Sequence, residues 1–347
     1  MQTHMSGKSA VLALIIVLTF LVSWELYLRH KGAVPDYDDG PELWAHWRAR
    51  VYEQPDKATI FIGSSRIKYD LDIPTWENLT GNHAIQLAMV ASSPRHMLTN
   101  LADDPYFKGK LVVDVTEVLF FSNRGNESPD AGIDYFKHRT PAQKVSFRLD
   151  KPVESRLGFL NEGQYSINAL LGKMHIPDRK NVYPFLDFPP GFEPVRFNRQ
   201  NVMTADFVAD TNQRNQVKGI WMLLRGDPTP PMSGKALDDV MASVKSDVAK
   251  IKARGGDVVF TRTPSSGFFI EAEHHLFPRA AYWDRLLKET GCKGFYYADY
   301  PGTAGLQCPE FSHLSPTDAV VYTKTLIDVM AKETGWVHPK TASNIPN

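Results

Sequence analysis

The chain predicts an α/β domain: a three-layer, mostly parallel sheet with helices on both faces. Short apolar, β-branched runs stop abruptly at glycine or polar turns, as strands buried on both faces do. Amphipathic segments of helical period alternate with such runs through the second half of the chain, the pattern of a layered α/β sheet. Composition agrees, since 43% hydrophobic and 22% charged residues in a chain of 347 exclude wholesale disorder and a polytopic membrane protein.

Taken in order, Glu42 to Gln54 (ELWAHWRARVYEQ) reads as a helix, and Ala58 to Arg66 (ATIFIGSSR) as a buried strand that ends at Gly63. His83 to Met89 is a second short strand. A helix follows from Ser92, with Ser92 or Ser93 as N-cap and Pro94 in its first turn. Lys110 to Phe121 (KLVVDVTEVLFF) is the most strongly β-branched run and the third strand. From about 123 to 230 the periodicity fades into scattered Pro, Asn, Gly and aromatic residues, an insertion elaborating one loop of the sheet. Lys235 to Gly256 is an amphipathic helix stopped by Gly255 and Gly256, and a strand begins at Asp257. Ala280 to Gly291 is the next helix and Gly294 to Tyr300 the next strand. Ser315 caps the final helix, with Pro316 at its first position. Parallel sheets carry their sites at the carboxyl ends of the strands. That rule singles out the GSSR turn at 63–66, the turn at Ala88, the segment after Glu117, the Arg262 loop and the loop before the last helix.

The N-terminus predicts a compartment. Ala10 to Trp24 runs 15 residues without a charge, or 19 to Leu28 if Glu25 sits near an interface, just sufficient for a membrane-spanning helix. Lys8 flanks one side and Arg29, His30 and Lys31 the other, so flanking charge does not decide orientation. A cleaved signal peptide competes, but no small-residue cleavage site follows, and Glu25, Arg29 and Lys31 stand where it should fall. The expectation is a cytoplasmic tail and single-pass inner-membrane anchor over residues 1–32, with 33–347 forming a periplasmic or extracytoplasmic domain.

With 39 Lys+Arg against 39 Asp+Glu, the chain has no basic footprint for nucleic acid. Cys292 and Cys308 are the whole thiol inventory, which excludes a Cys-rich zinc site. In an oxidising compartment they could close a short disulfide loop; two unpaired thiols are the other reading. His274-His275 has no partner at metal-ligand spacing and reads as a solvated loop. There is no Walker loop and no dinucleotide-binding glycine motif, so neither a metal nor a cofactor is expected. The sequons at Asn78 and Asn126 matter only in a eukaryotic secretory host.

Two segments carry the chemistry: Gly63-Ser64-Ser65-Arg66 after the first strand and Pro309-Glu310-Phe311-Ser312-His313-Leu314-Ser315 before the final helix. A serine alcohol needs an imidazole to take its proton, and the imidazole needs an acid to fix its tautomer; Ser65, His313 and Glu310 supply those types. The bland readings are a tight turn at 63–65 and helix capping by Ser315 and Pro316. Arg66 and Arg262 also follow strands on this edge, where a guanidinium binds a carboxylate or sugar hydroxyls, or else an ordinary salt-bridge partner. Asp114 and Glu117 lie three apart on the third strand and so face opposite sides, which speaks against a glycosidase pair.

In these two blocks and their order the chain resembles the SGNH (GDSL-like) hydrolase superfamily, with a serine in a Gly-x-Ser block after the first strand and an acid-x-x-His block before the last helix. The membrane-anchored members that act on cell-surface polymers, such as the alginate O-acetylation and teichoic-acid D-alanine transfer proteins, are the nearest in character. The resemblance spans about 58 to 335, without the insertion. It implies a flavodoxin-like sheet of SGNH-hydrolase type, Ser65 rather than Ser64 as nucleophile, His313 as base and Glu310 as its orienting acid. It also implies an oxyanion hole from the Ser65 and Ala88 N–H groups. The sequence departs from the pattern in having Glu310 for the usual aspartate, Ala88 for a glycine, and no counterpart of the third-block asparagine, for which Thr116 is the nearest stand-in.

The expectation is therefore a membrane-anchored serine esterase or O-acyltransferase acting on acylated cell-envelope polysaccharide or a small acyl donor. The aromatic-rich insertion would form a polymer groove, since sugar faces pack on rings. The alternative is a non-catalytic binding or assembly subunit that partners an integral membrane acyltransferase. The Ser65–His313 distance discriminates them, and a gap beyond about 6 Å favours the second.

Overall fold

Five short strands form one all-parallel sheet in a computed structural model of the chain, in the order β2–β1–β3–β4–β5. They are β1 (Ala58–Ile62), β2 (His83–Gln86), β3 (Lys110–Asp114), β4 (Asp257–Arg262) and β5 (Lys293–Tyr296). The structure describes residues 3–31, 36–122, 128–154, 156–161, 165, 167, 171, 188–189, 191–224 and 230–339. The sequon at Asn126 lies outside them.

Fourteen helices accompany the sheet among the described residues: α1 (Thr3–His30), α2 (Pro41–Arg48), α3 (Ser65–Asp70), α4 (Ile73–Thr80), α5 (Arg95–Ala102), α6 (Glu117–Phe120), α7 (Ser128–His138), α8 (Pro141–Glu154), α9 (Ala205–Ala209), α10 (Thr211–Leu224), α11 (Gly234–Ala253), α12 (Gly267–Leu276), α13 (Trp283–Thr290) and α14 (Pro316–Thr334). The chain divides into two compact units. One is Met1–Asp38 with Arg139–Pro184; the other is Asp39–His138 with Phe185–Asn347 and holds the whole sheet.

The β-branched runs behave as their composition requires. All of β1 is buried, and β3 and β4 are buried after their first residue, because helices cover both faces. Registry is set with Ile60 opposite Ile85 on one side and Leu111 on the other. The helices α3 and α4 join β1 to β2, an expected strand pair with no expected helix between. Parallel neighbours need such a crossover, but α3 is six residues long, too short to show a period.

The third strand is shorter than its apolar run. Pairing ends at Asp114, and the Thr116 carbonyl accepts from Leu119 and Phe120 N–H to start α6 at Glu117. Burial continues through the change, so composition does not mark it. Asp114 and Glu117 therefore stand on different elements. Likewise β2 stops at Gln86, and Tyr297–Asp299 is a 3-10 turn rather than strand. His274 and His275 are exposed on α12, not in a loop.

Of the two readings of the cysteines, the structure has the unpaired one. Cys292 and Cys308 are buried and unpaired; their thiols approach the Thr290 and Pro264 carbonyls at 3.8 and 3.7 Å. Burial pushes both thiols up, which keeps them protonated and inert.

In the first unit, α1 contains Gly7–His30, 24 residues long and apolar enough to cross a membrane, about 36 Å at 1.5 Å per residue. Its apolar side chains from Val11 to Val22 are exposed, apart from the half-buried Leu21. Glu25 is buried instead, accepting Arg29 Nε at 2.8 Å and the Gly158 and Phe159 N–H groups of a 3-10 turn at 3.1 and 3.3 Å.

Candidate active site

The turn after β1 assigns different tasks to its two serines. Gly63 must be glycine, because a Cβ there would stand 2.6 Å from Asp114 Cβ and 2.7 Å from Ile67 Cγ2. Ser64, 1% exposed, caps α3: its hydroxyl accepts the Arg66 N–H at 3.2 Å and meets Thr116 Oγ1 at 2.7 Å. Ser65 opens α3 half-buried, and its Oγ lies 2.9 Å from His313 Nε2. His313 Nδ1 lies 2.9 Å from Glu310 Oε1. Donation of Nδ1–H to the carboxylate leaves Nε2 as the lone-pair nitrogen facing the serine O–H.

The extra methylene of Glu310 is absorbed locally. The fully buried carboxylate turns back on its own loop, where Oε1 also accepts the His313 N–H at 2.6 Å and Oε2 accepts the Ser312 N–H at 3.3 Å. The indole N–H of Trp221, from α10, completes its shell on Oε2. Between acid and base, Phe311 is held at φ +83, a conformation that costs a side-chain-bearing residue about 1–3 kcal/mol. The loop after β4 holds it there. Ser266 N–H donates to the Phe311 carbonyl at 2.8 Å, Ser266 Oγ accepts the Cys308 N–H at 2.9 Å, and Gly267 leaves room for the Phe311 ring. Asp70, at the far end of α3 from Ser65, accepts the Leu314 N–H at 2.8 Å and so ties the serine helix to the histidine loop. Burial pushes the Asp70 carboxyl well up, toward its neutral form.

Aromatic rings enclose the imidazole. Tyr69 lies 4.3 Å from it between centroids, with Phe192 at 5.8 Å and Trp221 at 6.1 Å. Tyr69, Phe192, Met203, Phe207 and Val217 form a buried cluster behind the site. Of the insertion's aromatic residues, Phe192 and Phe207 build this core, while Trp221 lines the cavity over Ser65.

Ser65 and His313 open into a cavity of about 400 Å³. Its walls are mostly apolar: Val118 and Leu119 from α6, Trp221 and Leu224 from α10, and Phe268, Phe269, Ala272 and Leu276 from α12.

The remaining expected site residues divide. Arg66 lines the cavity and pairs with Glu273, while its Nη1 is buried without a hydrogen-bond partner among the described residues. Arg262 does not serve a substrate. It is fully buried, with Nε on Glu117 at 3.0 Å, Nη1 on the Thr263 carbonyl at 2.7 Å, and Nη2 on Glu273, so its donors are spent inside the fold. Burial pushes Glu273 up, but the two guanidiniums of Arg66 and Arg262 outweigh this and hold it at about 2.

Ala88 does not offer its N–H to an oxyanion, because the Gln86 side chain accepts it at 3.0 Å and binds the turn internally. Three residues on, Ala91 sits at φ +53 on the cavity wall, and among the described residues its N–H donates to nothing. Thr116 lines the cavity too, but its proton goes to Asp114 Oδ2 at 3.2 Å, leaving its oxygen to accept from Ser64. Burial pushes Asp114 up to about 6, against the pull of Arg66, the Thr263 hydroxyl and Arg262. Among the described residues no group of three His, Cys, Asp or Glu side chains is placed to hold a metal ion.

Trp221 and Glu273 were not legible as site residues. Each acts through a partner distant in sequence, and nothing local marks either one.

The arrangement so far rests on geometry alone. No protein-family model matches the chain, and no curated protein matches it either.

Proposed function

We propose that the protein is a membrane-anchored, extracytoplasmic serine esterase or O-acyltransferase of SGNH type. The observation that supports it most is the unbroken hydrogen-bonded chain Ser65–His313–Glu310, with 2.9 Å at both imidazole nitrogens, opening into a cavity. The alternative of a non-catalytic subunit expects the serine and histidine apart.

In the proposed reaction Ser65 Oγ attacks an acyl carbonyl carbon while His313 Nε2 takes its proton. Glu310 holds the imidazole and stabilises the imidazolium that forms. The carbonyl oxygen becomes an oxyanion, for which the Ser65 N–H at the start of α3 is the donor beside the nucleophile. Collapse expels the alcohol, which leaves with the proton from His313, and the acyl group stays on Ser65. Water or a sugar hydroxyl then attacks the acyl-enzyme, with His313 taking its proton, and collapse breaks the acyl–Ser65 bond as His313 returns that proton to Ser65 Oγ. Water gives a hydrolase and a sugar a transferase acting on cell-envelope polysaccharide. The helix α1 would anchor the enzyme beside an acyl donor, or beside an integral membrane acyltransferase that supplies one.

The test is turnover of p-nitrophenyl butyrate by the full chain in detergent micelles. Turnover that disappears in Ser65→Ala and in His313→Ala is the expected result. A folded wild-type protein that turns over no ester would overturn the reading.

A further inference from the structure

We propose that the acyl group accepted by this site is a medium- or long-chain apolar acyl chain rather than acetyl. The inference rests on the esterase reading and gives that reading its substrate class.

The cavity over Ser65 measures about 400 Å³. An acetyl methyl is close to a water molecule in size, about 30 Å³ of liquid volume, and would leave most of the space unfilled. The walls that would contact the rest of the acyl group are Val118, Leu119, Leu224, Phe268, Phe269 and Leu276. These side chains offer no hydrogen bonds, so a sugar ring placed there would strip its hydroxyls of water without replacement, whereas methylenes lose nothing.

The charged groups at the wall are already matched, since Arg66 and Glu273 pair with each other. A second ion is not called for, and a neutral ester suits a wall whose charges are already paired.

The rim carries the same character to the surface. Val90, Leu224 and Leu276 line the cavity while remaining 43%, 51% and 37% exposed. Met222 and Leu223, beside Leu224 on the last turn of α10, are exposed as well. An apolar entrance continuous with an apolar cavity fits a chain that threads in from the mouth and leaves its carbonyl at Ser65.

The test is a chain-length series of p-nitrophenyl esters, from acetate through butyrate to octanoate, with the full-length protein and each ester below its own aggregation limit. The proposal expects kcat/KM to rise at least tenfold from acetate to octanoate. In Ala272→Phe, which fills the cavity, the optimum should move to shorter chains and octanoate turnover should fall at least tenfold. Acetate turned over as well as octanoate by the wild type overturns the proposal while leaving the esterase reading intact. So does an Ala272→Phe protein, shown folded by its thermal melt, that loses activity equally at every chain length. The wild-type series decides the matter even if that variant does not fold. Turnover of no ester at all overturns both the proposal and the reading beneath it.

Discussion

Ser64 and Ser65 are adjacent and chemically alike, and burial separates their tasks. Ser64 is committed to capping and to Thr116, whereas Ser65 faces His313. The order of serine and acid-x-x-His blocks made Ser65, His313 and Glu310 legible in the sequence, because each sits at a strand end or a helix start that local pattern reveals. The groups supporting them were not legible. Trp221 reaches Glu310 across 89 positions, and Glu273 stands between two arginines whose partner the sequence does not name. Trp221→Phe should keep the ring and remove the N–H donor to the Glu310 carboxylate. We expect about a tenfold fall in kcat/KM with an unchanged thermal midpoint. A merely structural tryptophan would lower the midpoint and leave kcat/KM of the folded protein in place.

At the scale of elements, strand and helix identity followed from apolar runs, while their ends did not. The β3 run continues past Asp114 because Val115, Thr116, Glu117 and Phe120 are also buried, with Val118 and Leu119 half-buried at the cavity, so a burial signal has no sharp edge there. The helix α3 was missed because six residues span less than two turns. The final helix was legible to the residue, since Ser315 accepts the Asp318 N–H and Pro316 occupies the first turn. The junction between β1 and α3 tolerates little added volume. Gly63→Ala would drive a methyl into Asp114 and Ile67, both tightly packed. We expect a loss of about 1–3 kcal/mol, read from the denaturant midpoint, with activity falling further than stability because Ser65 is displaced. A variant of unchanged midpoint and activity would show that this turn is slack.

For the molecule as a whole, buried carboxylates give stability an unusual dependence on acid. Asp114, raised to about 6, is disfavoured as a carboxylate in the fold, so its contribution is full below the unfolded value of 3.8 and is lost as pH rises through about 6. Glu273, lowered to about 2, acts in the opposite sense. Its contribution is full above 4.5 and is lost as pH falls toward 2. Each shift corresponds to at most about 3–4 kcal/mol. Thermal midpoints from pH 7.5 to 4.5 should therefore favour the wild type progressively over Asp114→Asn. Glu273→Gln, which leaves two buried guanidiniums short of a carboxylate, should be destabilised by about 3–5 kcal/mol near neutrality. An Asp114→Asn curve parallel to the wild type would contradict the assignment.

Reaction with a serine-directed fluorophosphonate tests whether His313 and Glu310 activate Ser65. The full chain should gain one covalent adduct, located on Ser65 by peptide mass, and labelling should be lost in Ser65→Ala and in His313→Ala. A folded wild-type protein that takes no label, or one labelled at another serine, would contradict it.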